Sequence, residues 1–498
     1  MPHLLEQAET VRKEVGQQIS QKRKSELGQF MTPSTIARFM ASLFTPSTLK
    51  IALLLDAGAG IGSLSGAALD RFAAGGFPFQ HVQVAAYEID PKLRELLSQT
   101  LAKYQGHFDI DISLRRGDFI EEAVKLIFKG EERFTHAIMN PPYKKINSAS
   151  HHRLLLRQVG IETVNLYSAF VALTIELMQP GGQIVAIMPR SFCNGPYYRP
   201  FRMLILAKTA IKHIHLFAAR NRAFRDDDVL QENIIILLER DAIQGSVTVS
   251  TSTDDSFTDM ETNVYPFDRI IFPSDPECFI HIPTSPERNH LEISPAISFS
   301  LGDIGLEVST GPVVDFRLML HIRQMPGRGT VPLLYPSHFS GQEIDWPKQG
   351  AKKPNAIMRN AETEKWLYPS GYYVVVRRFS SKEEKRRVVA SVVCPDVFNG
   401  SPMLGFENHL NVLHSGKQGI PENLARGLTV FLNSTAVDEQ FRLFSGHTQV
   451  NATDLRLLKY PSREVLTRLG VWAKAQGEQT QRKIDHKIES LLWPKTTR

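Results

Sequence analysis

The tetrapeptide Asn140-Pro141-Pro142-Tyr143 combines groups that could bind a planar amine. It follows the apolar run 134–139 (FTHAIM), which predicts a buried strand, and two consecutive prolines cannot continue a sheet ladder. The chain must therefore leave the strand along a rigid path that exposes the Asn140 amide, the Pro141 carbonyl and the Tyr143 ring. Two acceptors could take the two N–H groups of an amine while the ring stacks on a planar face. The alternative is a structural turn in which the asparagine acts as a cap.

A glycine-rich turn lies upstream at residues 56–62 (DAGAGIG), between the apolar run 51–55 and a stretch of helical pattern. Gly58 and Gly60 would let the backbone approach a ligand closely. Glu88 closes the next apolar run, a position from which a carboxylate can accept hydrogen bonds from both ribose hydroxyls. The spacing is neither that of a dinucleotide fingerprint nor that of a P-loop. These residues predict a site for a nucleoside-containing cofactor, although any tight strand-to-helix turn could carry such glycines.

The first half of the chain alternates short apolar runs with helical patterns, which is typical of a parallel α/β sheet. Strands are predicted at 51–56, 82–88, 134–139, 183–188, 211–217 and 233–239, and helices at 91–104 and 168–178. Such a sheet places the motifs together, because ligands bind at the carboxyl ends of parallel strands.

The sequence changes in texture after Arg240, where Ser, Thr, Asp and Pro become frequent and helical periodicity fades. We therefore predict a domain boundary near residue 245. The predicted parts are an N-terminal helical arm (1–30), an α/β domain carrying the motifs (31–245) and an α+β domain (246–498). In the last part a strand is predicted at 372–378, with helices at 421–432 and 463–478.

Composition limits the class of protein. The chain has 498 residues, of which 42% are hydrophobic and 22% charged, and its net charge of +6 is compatible with a polyanionic partner without demonstrating one. Cys193, Cys278 and Cys394 are too few and too widely spaced for a disulfide framework or a zinc cluster. We expect a cytoplasmic protein, since the N-terminus is polar and no run of 18 apolar residues occurs. No metal is expected, because the histidines lack ligand spacing; His151 and His152 adjoin on a predicted polar loop.

The ordered motifs resemble those of the N6-adenine DNA methyltransferases of the γ arrangement, which are the modification enzymes of type II restriction systems. The shared segments are GQFMTP at 28–33, LLDAGAGIG at 54–62, YEID at 87–90, GDF at 117–119, NPPY at 140–143 and NLYSAF at 165–170. NPPY alone also occurs in protein-glutamine and some RNA methyltransferases, and it would accept glutamine or cytosine N4. Its combination with QFMTP and NLYSAF is highly specific. The mixture of motifs is similar to that of the modification enzymes of PstI/BsuBI systems.

The resemblance implies a Rossmann-like class I methyltransferase domain that uses S-adenosylmethionine, followed by an α+β target-recognition domain. Thr32 and Pro33 would close over the methionine end of the cofactor, and Asp118 would bond its adenine amine. Phe170 would cover one adenine face, although by itself it could be a core residue of a helix. The cofactor-binding residues implied in this way are Thr32, Pro33, Asp56, Gly58, Gly60, Glu88, Ile89, Asp118, Phe119, Asn140 and Phe170.

The resemblance assigns catalysis to Asn140, Pro141, Pro142 and Tyr143, with Phe224 stacking on the other face of a flipped-out adenine. Phe217 is the competing candidate for that aromatic. Phe224 lies in the basic stretch RNRAFR, whose arginines suit contacts with the DNA backbone: Arg220, Arg222 and Arg225.

Residues 445–455 (SGHTQVNATDL) resemble the closing stretch of target-recognition domains, so His447, Gln449 and Asn451 are predicted DNA contacts. An equal alternative is a capped loop that enters a helix, with Asn451 or Thr453 as the N-cap. Further candidate contacts, on weaker grounds, are Arg377, Arg378, Arg386 and Arg387.

The implied activity is site-specific methylation of adenine N6 in double-stranded DNA, which protects the DNA from a partner restriction endonuclease. That endonuclease is expected to be a functional rather than a physical partner, and the chain a monomer that acts at the bacterial nucleoid without a membrane or metal partner. Three other classes of protein share some of these features: a protein or RNA methyltransferase, a bifunctional restriction–methylation enzyme, and a non-catalytic specificity protein. The QFMTP segment and the large second half disfavour the first. The lack of room for a nuclease disfavours the second, and the NPPY motif with its glycine turn disfavours the third.

Overall fold

The chain divides into two compact units, Met1–Pro286 and Glu287–Arg498. The boundary lies beyond the predicted position near 245, because two strands after Arg240, Val247–Ser252 and Glu261–Tyr265, extend the sheet of the first unit. Change in composition marked the end of the helical pattern rather than the end of the sheet. The computed structural model describes residues 6, 9–14, 31–106, 109–131, 133–217, 232–273, 275–285, 294–341, 343–381, 383–445, 448–476 and 479–492.

The first unit alternates strands and helices from residue 34 onward. Two short 3₁₀ helices, Arg190–Cys193 and Pro196–Tyr198, follow its fifth strand. The main elements are α1 (Ser34–Ser42), β1 (Ile51–Ala57), α2 (Ser63–Ala73), β2 (His81–Tyr87), α3 (Pro91–Ala102), β3 (Ile110–Arg115), α4 (Phe119–Lys129), β4 (Phe134–Met139), α5 (His151–Gln158), α6 (Leu166–Leu177), β5 (Met178–Pro189), α7 (Arg199–Lys208), β6 (Thr209–Phe217), β7 (Asn233–Arg240), β8 (Val247–Ser252) and β9 (Glu261–Tyr265).

The strands of the first unit form one nine-stranded sheet in the order β3-β2-β1-β4-β5-β7-β6-β8-β9. β1 to β5 are parallel to one another, whereas β7 runs antiparallel to both β5 and β6, and β9 antiparallel to β8. The parallel sheet predicted from the sequence is therefore correct for β1, β2, β4 and β5 and wrong for the direction of β7, and the prediction did not include β3, β8 and β9. A strand buried on both faces is apolar throughout, so its residue pattern carries no information on its direction.

Helices cover both faces of this sheet, and alternate residues of a strand enter different cores. Leu54 packs in the cluster that includes Met40 of α1 and Leu69 of α2. Leu55 packs in the cluster that includes Ile120 of α4 and Val171 of α6. This burial on two sides fixes the sheet register, and with it the positions of the loops at the carboxyl ends of β1 to β4.

The second unit is an α+β fold of small sheets and helices, as the sequence predicts. Its sheets have the orders β11-β21-β18-β19 and β12-β16-β13-β20-β17, together with the pairs β10-β22 and β14-β15. The elements are β10 (Ile297–Phe299), β11 (Glu307–Thr310), β12 (Ile322–Arg323), β13 (Thr330–Leu334), β14 (Phe339–Ser340), β15 (Glu343–Ile344), β16 (Ala356–Met358), β17 (Leu367–Pro369), β18 (Tyr373–Arg377), β19 (Ala390–Val393), β20 (Met403–Phe406), β21 (Leu410–His414), α8 (Glu422–Leu432), α9 (Thr435–Phe444), α10 (Ala452–Leu457), β22 (Tyr460–Pro461), α11 (Arg463–Ala475) and α12 (Gln481–Leu492).

Helices α8 and α11 approach so closely that two glycines are required at their crossing. A Cβ atom on Gly427 would lie 1.7 Å from the carbonyl oxygen of Leu466, and one on Gly470 would lie 1.6 Å from that of Asn423. Any larger residue at either position must push the helices apart.

Within the described ranges, no helix is both long and apolar enough to cross a membrane. The same ranges hold no group of three or more His, Cys, Asp or Glu side chains arranged to bind a metal ion.

Candidate active site

A cavity of about 230 Å³ opens at the carboxyl ends of β1 to β4. Its wall contains most of the residues that the resemblance assigned to the cofactor, although they come from separate motifs along the chain. Pro33 and Asp56 are the two that do not line it. Those that do are Thr32, Gly58, Gly60, Glu88, Ile89, Asp118, Phe119, Asn140 and Phe170.

The glycine turn and Glu88 hold each other in place at the floor of this cavity. Gly58 and Gly60 have φ values of +89° and +57°, a left-handed conformation that other residues rarely adopt. The backbone N–H groups of Gly58 and Ala59 donate to the Tyr87 carbonyl at 3.1 and 2.8 Å. The N–H of Gly60 donates to Glu88 Oε2 at 2.9 Å, and Glu88 itself is only 2% exposed. A carboxylate is therefore fixed beside the turn before any ligand binds.

Asp56 lies behind the turn rather than in the cavity wall. Its Oδ2 accepts hydrogen bonds from the Ser65 hydroxyl at 2.6 Å and from the Ser65 backbone N–H at 3.2 Å, which ties β1 to α2. Burial raises the pKa of Asp56 to about 7, against the opposing effect of the Ser65 hydrogen bonds. Its Oδ1 has no hydrogen-bond partner among the described residues. The structure thus gives Asp56 a supporting position, because the strand turns its side chain inward.

Two aromatic rings line the cavity next to the glycine turn. The Phe119 and Phe170 rings lie 4.9 Å apart, and a Cβ on Gly58 would be 3.9 Å from Phe170 Cε1. Phe170 therefore lies over the glycine turn, so it lines the cavity instead of being only a core residue of α6. Ile89 is 51% exposed and provides an apolar surface beside Glu88.

His152 is a cavity residue that the sequence reasoning missed. It lies in the first turn of α5, and its Nε2 is 3.2 Å from Asp118 Oδ2. The hydrogen bond with Asp118 raises the pKa of His152. Burial acts to raise the pKa of Asp118, but the hydrogen bond and charge of His152 and the N–H of Glu121 outweigh it and leave that pKa below its usual value. No local signal predicted this contact, because it joins the starts of two different helices.

The NPPY motif leaves β4 at the edge of the cavity, as predicted. Asn140 and Pro142 line the cavity, and Asn140 Nδ2 donates to the Thr32 hydroxyl at 3.1 Å. Thr32 lies just before α1 and is 5% exposed. The QFMTP and NPPY segments, which are far apart in the sequence, therefore meet through this hydrogen bond.

Tyr143 does not line the cavity but lies beside it. Its hydroxyl donates to the Ile187 carbonyl at 3.4 Å, and its ring packs edge-on against that of Tyr167 at 6.1 Å. Burial raises the pKa of Tyr143 above its usual value, so the hydroxyl stays protonated. Residues 144–146 pair with 164–166, which connects the NPPY segment to the NLYSAF segment.

The aromatic residue predicted to stack on the target base lies outside the described residues. Its neighbouring arginines and one residue of the second unit also lie outside the described residues. The full set is Phe224, Arg220, Arg222, Arg225 and His447. Phe217, the competing candidate, is 2% exposed and packs against His215 and Phe257. Its position is that of a core residue.

Several cations singled out in the second unit make structural contacts. Arg377 pairs with Glu384 at 2.7 Å, and Arg378 Nη1 donates to the Asn408 carbonyl at 3.2 Å. Arg386 donates to the Ser434 carbonyl at 2.7 Å, and Arg387 is 1% exposed. Arg386 and Arg387 therefore hold the fold, whereas Arg377 and Arg378 remain predicted DNA contacts.

The segment predicted to read DNA enters a helix in the way that the alternative interpretation required. Asn451 is the N-cap of α10, and its backbone N–H donates to Asp454 Oδ2 at 2.7 Å. Gln449 forms an isolated bridge with Phe379. The structure accounts for Asn451 by capping, while a DNA contact for Asn451 or Gln449 stays a prediction.

The chain is similar in sequence to a known protein family and to two known methyltransferases. Residues 49–224 match the family described as Eco57I restriction-modification methylase. The chain is 55% identical to the Type II methyltransferase M.BsuBI of Bacillus subtilis over 95% of both chains. It is 41% identical to the Type II methyltransferase M.PstI of Providencia stuartii over 97% of this chain and 96% of the relative.

Two solved structures share the fold at low sequence identity. The Type IIL restriction-modification enzyme MmeI, solved in complex with DNA, has a TM-score of 0.52 at 10% identity and covers 88% of this chain and 70% of its own. The DrdV-DNA complex has a TM-score of 0.51 at 12% identity, with 91% of this chain and 57% of that chain covered.

The sheet order and the cavity define a Rossmann-like class I methyltransferase domain, and S-adenosylmethionine is its cofactor. The residues present fit that cofactor: Glu88 supplies a buried carboxylate for the ribose hydroxyls, and Phe119 and Phe170 supply flat surfaces for the adenine. The chain belongs to the type II methyltransferases of restriction-modification systems.

Proposed function

We propose that this protein is a site-specific, adenine-specific DNA methyltransferase. It transfers a methyl group from S-adenosylmethionine to N6 of an adenine flipped out of double-stranded DNA, and it thereby protects the DNA from a partner restriction endonuclease. The observation that carries the proposal is the position of Asn140, which places a side-chain amide on the wall of the cofactor cavity at the end of β4.

In the structure the Asn140 amide uses its Nδ2 for the hydrogen bond to the Thr32 hydroxyl. Because Nδ2 of Asn140 donates to Thr32 Oγ1, Oδ1 is the atom that accepts a hydrogen bond from a substrate N–H. An amide held in this orientation binds an amine and discriminates against a carbonyl oxygen in the same place. Adenine N6, cytosine N4 and the glutamine side chain all present such an amine. The choice of adenine rests on the resemblance of the ordered motifs.

Asn140 and Pro141 would activate the amine by changing the geometry of its nitrogen. The N6 lone pair is delocalised into the purine ring, and hydrogen bonds from N6–H to Asn140 Oδ1 and the Pro141 carbonyl favour a tetrahedral nitrogen with a localised lone pair. The bound cofactor supplies an electrophilic methyl group on its sulfonium. Glu88, Phe119 and Phe170 would hold the cofactor so that its methyl group could pass to N6 with S-adenosylhomocysteine as the leaving group, and the ammonium formed on N6 would lose one proton to water. No side chain has to remove that proton before the attack.

The target nucleotide has to leave the duplex to reach this site. Unstacking the target nucleotide costs a few kcal/mol. Stacking of its base on a single aromatic ring recovers about 1–3 kcal/mol of this cost. Tyr143 and Phe224 are assigned that task. The second unit would act as the target-recognition domain, and the protein would work as a monomer with the endonuclease as a functional partner only.

Replacing Asn140 tests the proposal. Asn140→Ala removes the oriented acceptor, and we expect methyl transfer to plasmid DNA to fall by at least two to three orders of magnitude, the loss that follows from removing one transition-state hydrogen bond. Specific DNA binding should change little. The control is Asn147→Ala, an exposed asparagine on the following loop, which should methylate at the wild-type rate. Methylation by Asn140→Ala at the wild-type rate would refute the mechanism.

The identity of the product separates the proposal from its rivals. Nucleoside analysis of DNA methylated by the purified protein should give N6-methyladenine, and sequencing of methylated adenines in expressing cells should give one recognition site. N4-methylcytosine, or methylation of RNA or of a release-factor protein in place of DNA, would contradict the assignment.

A further inference from the structure

We infer that the second unit binds duplex DNA through an exposed apolar and basic segment, residues 314–328, with the adjoining Lys352. The inference rests on the proposed function, because it takes DNA to be the substrate. The proposed surface contains none of the DNA contacts predicted from the sequence, which are arginines in other segments and residues of the segment 445–455.

The first observation is a cluster of large apolar side chains in solvent. Phe316 is 67% exposed, Met319 71% and Leu320 86%. Leu318 and Ile322 alternate with them and pack on the core formed around Val331, Leu333 and Ile357. The segment therefore has two faces, and the exposed one holds three large apolar side chains within five residues. Soluble proteins rarely leave such a cluster uncovered unless it has a partner.

The second observation is the charge around that cluster. Arg317, Arg328 and Lys352 are exposed, and none of them forms an ion pair with a carboxylate in the described ranges. The one acidic residue of the segment, Asp315, is paired with Lys353 at 3.0 Å. The surface therefore carries positive charge around exposed apolar side chains.

These two features together favour DNA over a protein as the occupant. A duplex offers a row of phosphates on either side of a groove, and the groove contains thymine methyl groups and base faces that apolar side chains contact. Cationic side chains that flank an apolar wedge are the arrangement that groove-inserting proteins use. Arg317 also lies over the Phe316 ring at 5.5 Å, so charge and aromatic surface are presented together.

The segment is also held in shape before binding. Arg323 Nη1 donates to the Leu320 and Ile322 carbonyls at 2.8 and 2.9 Å, and β12 pairs with β16 through Ile322 and Ile357. A surface ordered in advance loses less conformational freedom on binding. Phe316 and Leu320 would therefore enter a groove as a fixed pair, with Arg317 and Arg328 on the flanking phosphates.

Four substitutions test the surface. Phe316→Ala and Leu320→Ala remove groove contacts, whereas Arg317→Ala and Arg328→Ala remove phosphate contacts. The control is Phe128→Ala in the first unit, where the phenylalanine is 64% exposed. Each variant is titrated with a fluorescein-labelled duplex that contains the site found by sequencing methylated adenines, at salt concentrations between about 50 and 200 mM. Calorimetry with S-adenosylmethionine and a thermal melt show whether each variant is folded and its cavity intact.

The two classes of contact predict different results. The alanine variants of Phe316 and Leu320 should bind the duplex about tenfold to thirtyfold more weakly at every salt concentration, the factor expected from losing buried apolar groups. The arginine variants should reduce the slope of log affinity against log salt by about one each. Cofactor affinity should be unchanged throughout, and Phe128→Ala should bind like the wild type.

Three outcomes would count against a proposal. Wild-type affinity and salt slope in all four variants, with a wild-type protein that methylates the duplex, would overturn this inference and leave the proposed function standing. A wild-type protein that binds cofactor but methylates no duplex would instead refute the proposed function. If sedimentation showed a wild-type dimer that Leu320→Glu converts to a monomer with unchanged DNA affinity, the surface would belong to a second copy of the chain, and this inference would be wrong.

Discussion

At the scale of single residues, contacts with neighbouring groups hold the polar side chains of the cavity in place. Glu88 accepts the Gly60 N–H, Asp118 contacts His152, and Asn140 is oriented by Thr32. Groups fixed in this way need little reorganisation when a ligand binds, which lowers the free-energy cost of reaching the transition state. Asp56, which lies behind the cavity wall, differs from them because it is buried and its Oδ1 has no hydrogen-bond partner among the described residues.

Asp56→Asn should remove a pH dependence of stability. In the folded, cofactor-free protein the pKa of Asp56 is raised to about 7, whereas in the unfolded chain it is about 3.9. The folded state therefore binds more protons between these values, and the Asp56 contribution to the free energy of unfolding is fully present below about pH 4 and is lost as the pH rises through about 7. Urea unfolding of cofactor-free protein across this range measures the effect.

The asparagine has no proton to lose and therefore forms no buried negative charge, so the variant should gain stability relative to the wild type as the pH rises. Asp268→Asn, at an exposed position, serves as the control and should follow the wild-type profile. A difference between Asp56→Asn and the wild type that did not change with pH would contradict the burial of an ionisable group at this position.

At the scale of elements, helix α1 connects the cofactor cavity to the hairpin formed by β8 and β9. Phe39 of α1 stacks on Phe257 of the hairpin loop at 4.3 Å and 19°, and Thr35 donates to Asp255 at 2.9 Å. Thr32 lies two residues before the start of α1, next to the N-cap Pro33. The hairpin lies after residue 245, so two strands that sequence reasoning assigned to the second domain support the segment that orients Asn140.

Phe257→Ala should therefore weaken cofactor binding while leaving the chemical step nearly intact. Loss of the Phe39–Phe257 stack loosens α1 and with it Thr32, a residue of the cavity wall that also accepts the hydrogen bond from Asn140. We expect KM for S-adenosylmethionine to rise several-fold with kcat within a factor of two, in line with the roughly 0.5–1.5 kcal/mol value of an aromatic pair. Met260→Ala in the same loop is the control. An equal fall in kcat, or an unchanged KM, would mean that the hairpin does not position α1.

At the scale of the whole molecule, the two units contain different parts of the machinery. Among the described residues, those that line the cofactor cavity all belong to the first unit, between Met31 and Phe170. The second unit has separate cores, one around Tyr373 and Phe406 and one around Val331 and Ile357. Damage to the second unit should therefore affect DNA binding without affecting the cofactor.

Gly427→Ala tests this division of labour. The new methyl group would meet the Leu466 carbonyl, which is backbone and cannot rotate away, so α8 and α11 must separate at a cost of about 1–3 kcal/mol or more. We expect a lower melting temperature and weaker DNA binding, with the dissociation constant for S-adenosylmethionine unchanged by calorimetry. Gly302→Ala, whose Cβ would have only an ordinary contact at 3.7 Å, is the control. A cofactor affinity that fell together with DNA affinity would show that the two units do not function separately.

The sequence by itself determined the catalytic strands and the motifs that follow them. Predicted strands at 51–56, 134–139 and 233–239 agree with β1, β4 and β7 to within one residue, because a short apolar run between polar residues is a local signal of a buried strand. The NPPY turn, the glycine turn and Glu88 were found for the same reason, and nine of the predicted cofactor residues line one cavity. The methyltransferase activity was inferred from the resemblance, which the family match and the two type II methyltransferase relatives confirm.

Only the tertiary structure decided how distant segments meet. The segment 188–225 has eight Lys and Arg and no acid, which could indicate a DNA surface, yet its described members pair with carboxylates from other elements. Arg190 pairs with Glu232 at 2.9 Å, Lys208 with Glu176 and Lys212 with Glu239. The exposed tips at 316–320, the His152–Asp118 pair and the reversed β7 are likewise set by neighbours far away in the chain. Local patterns report the burial of a residue, whereas its partners depend on which elements the fold brings together.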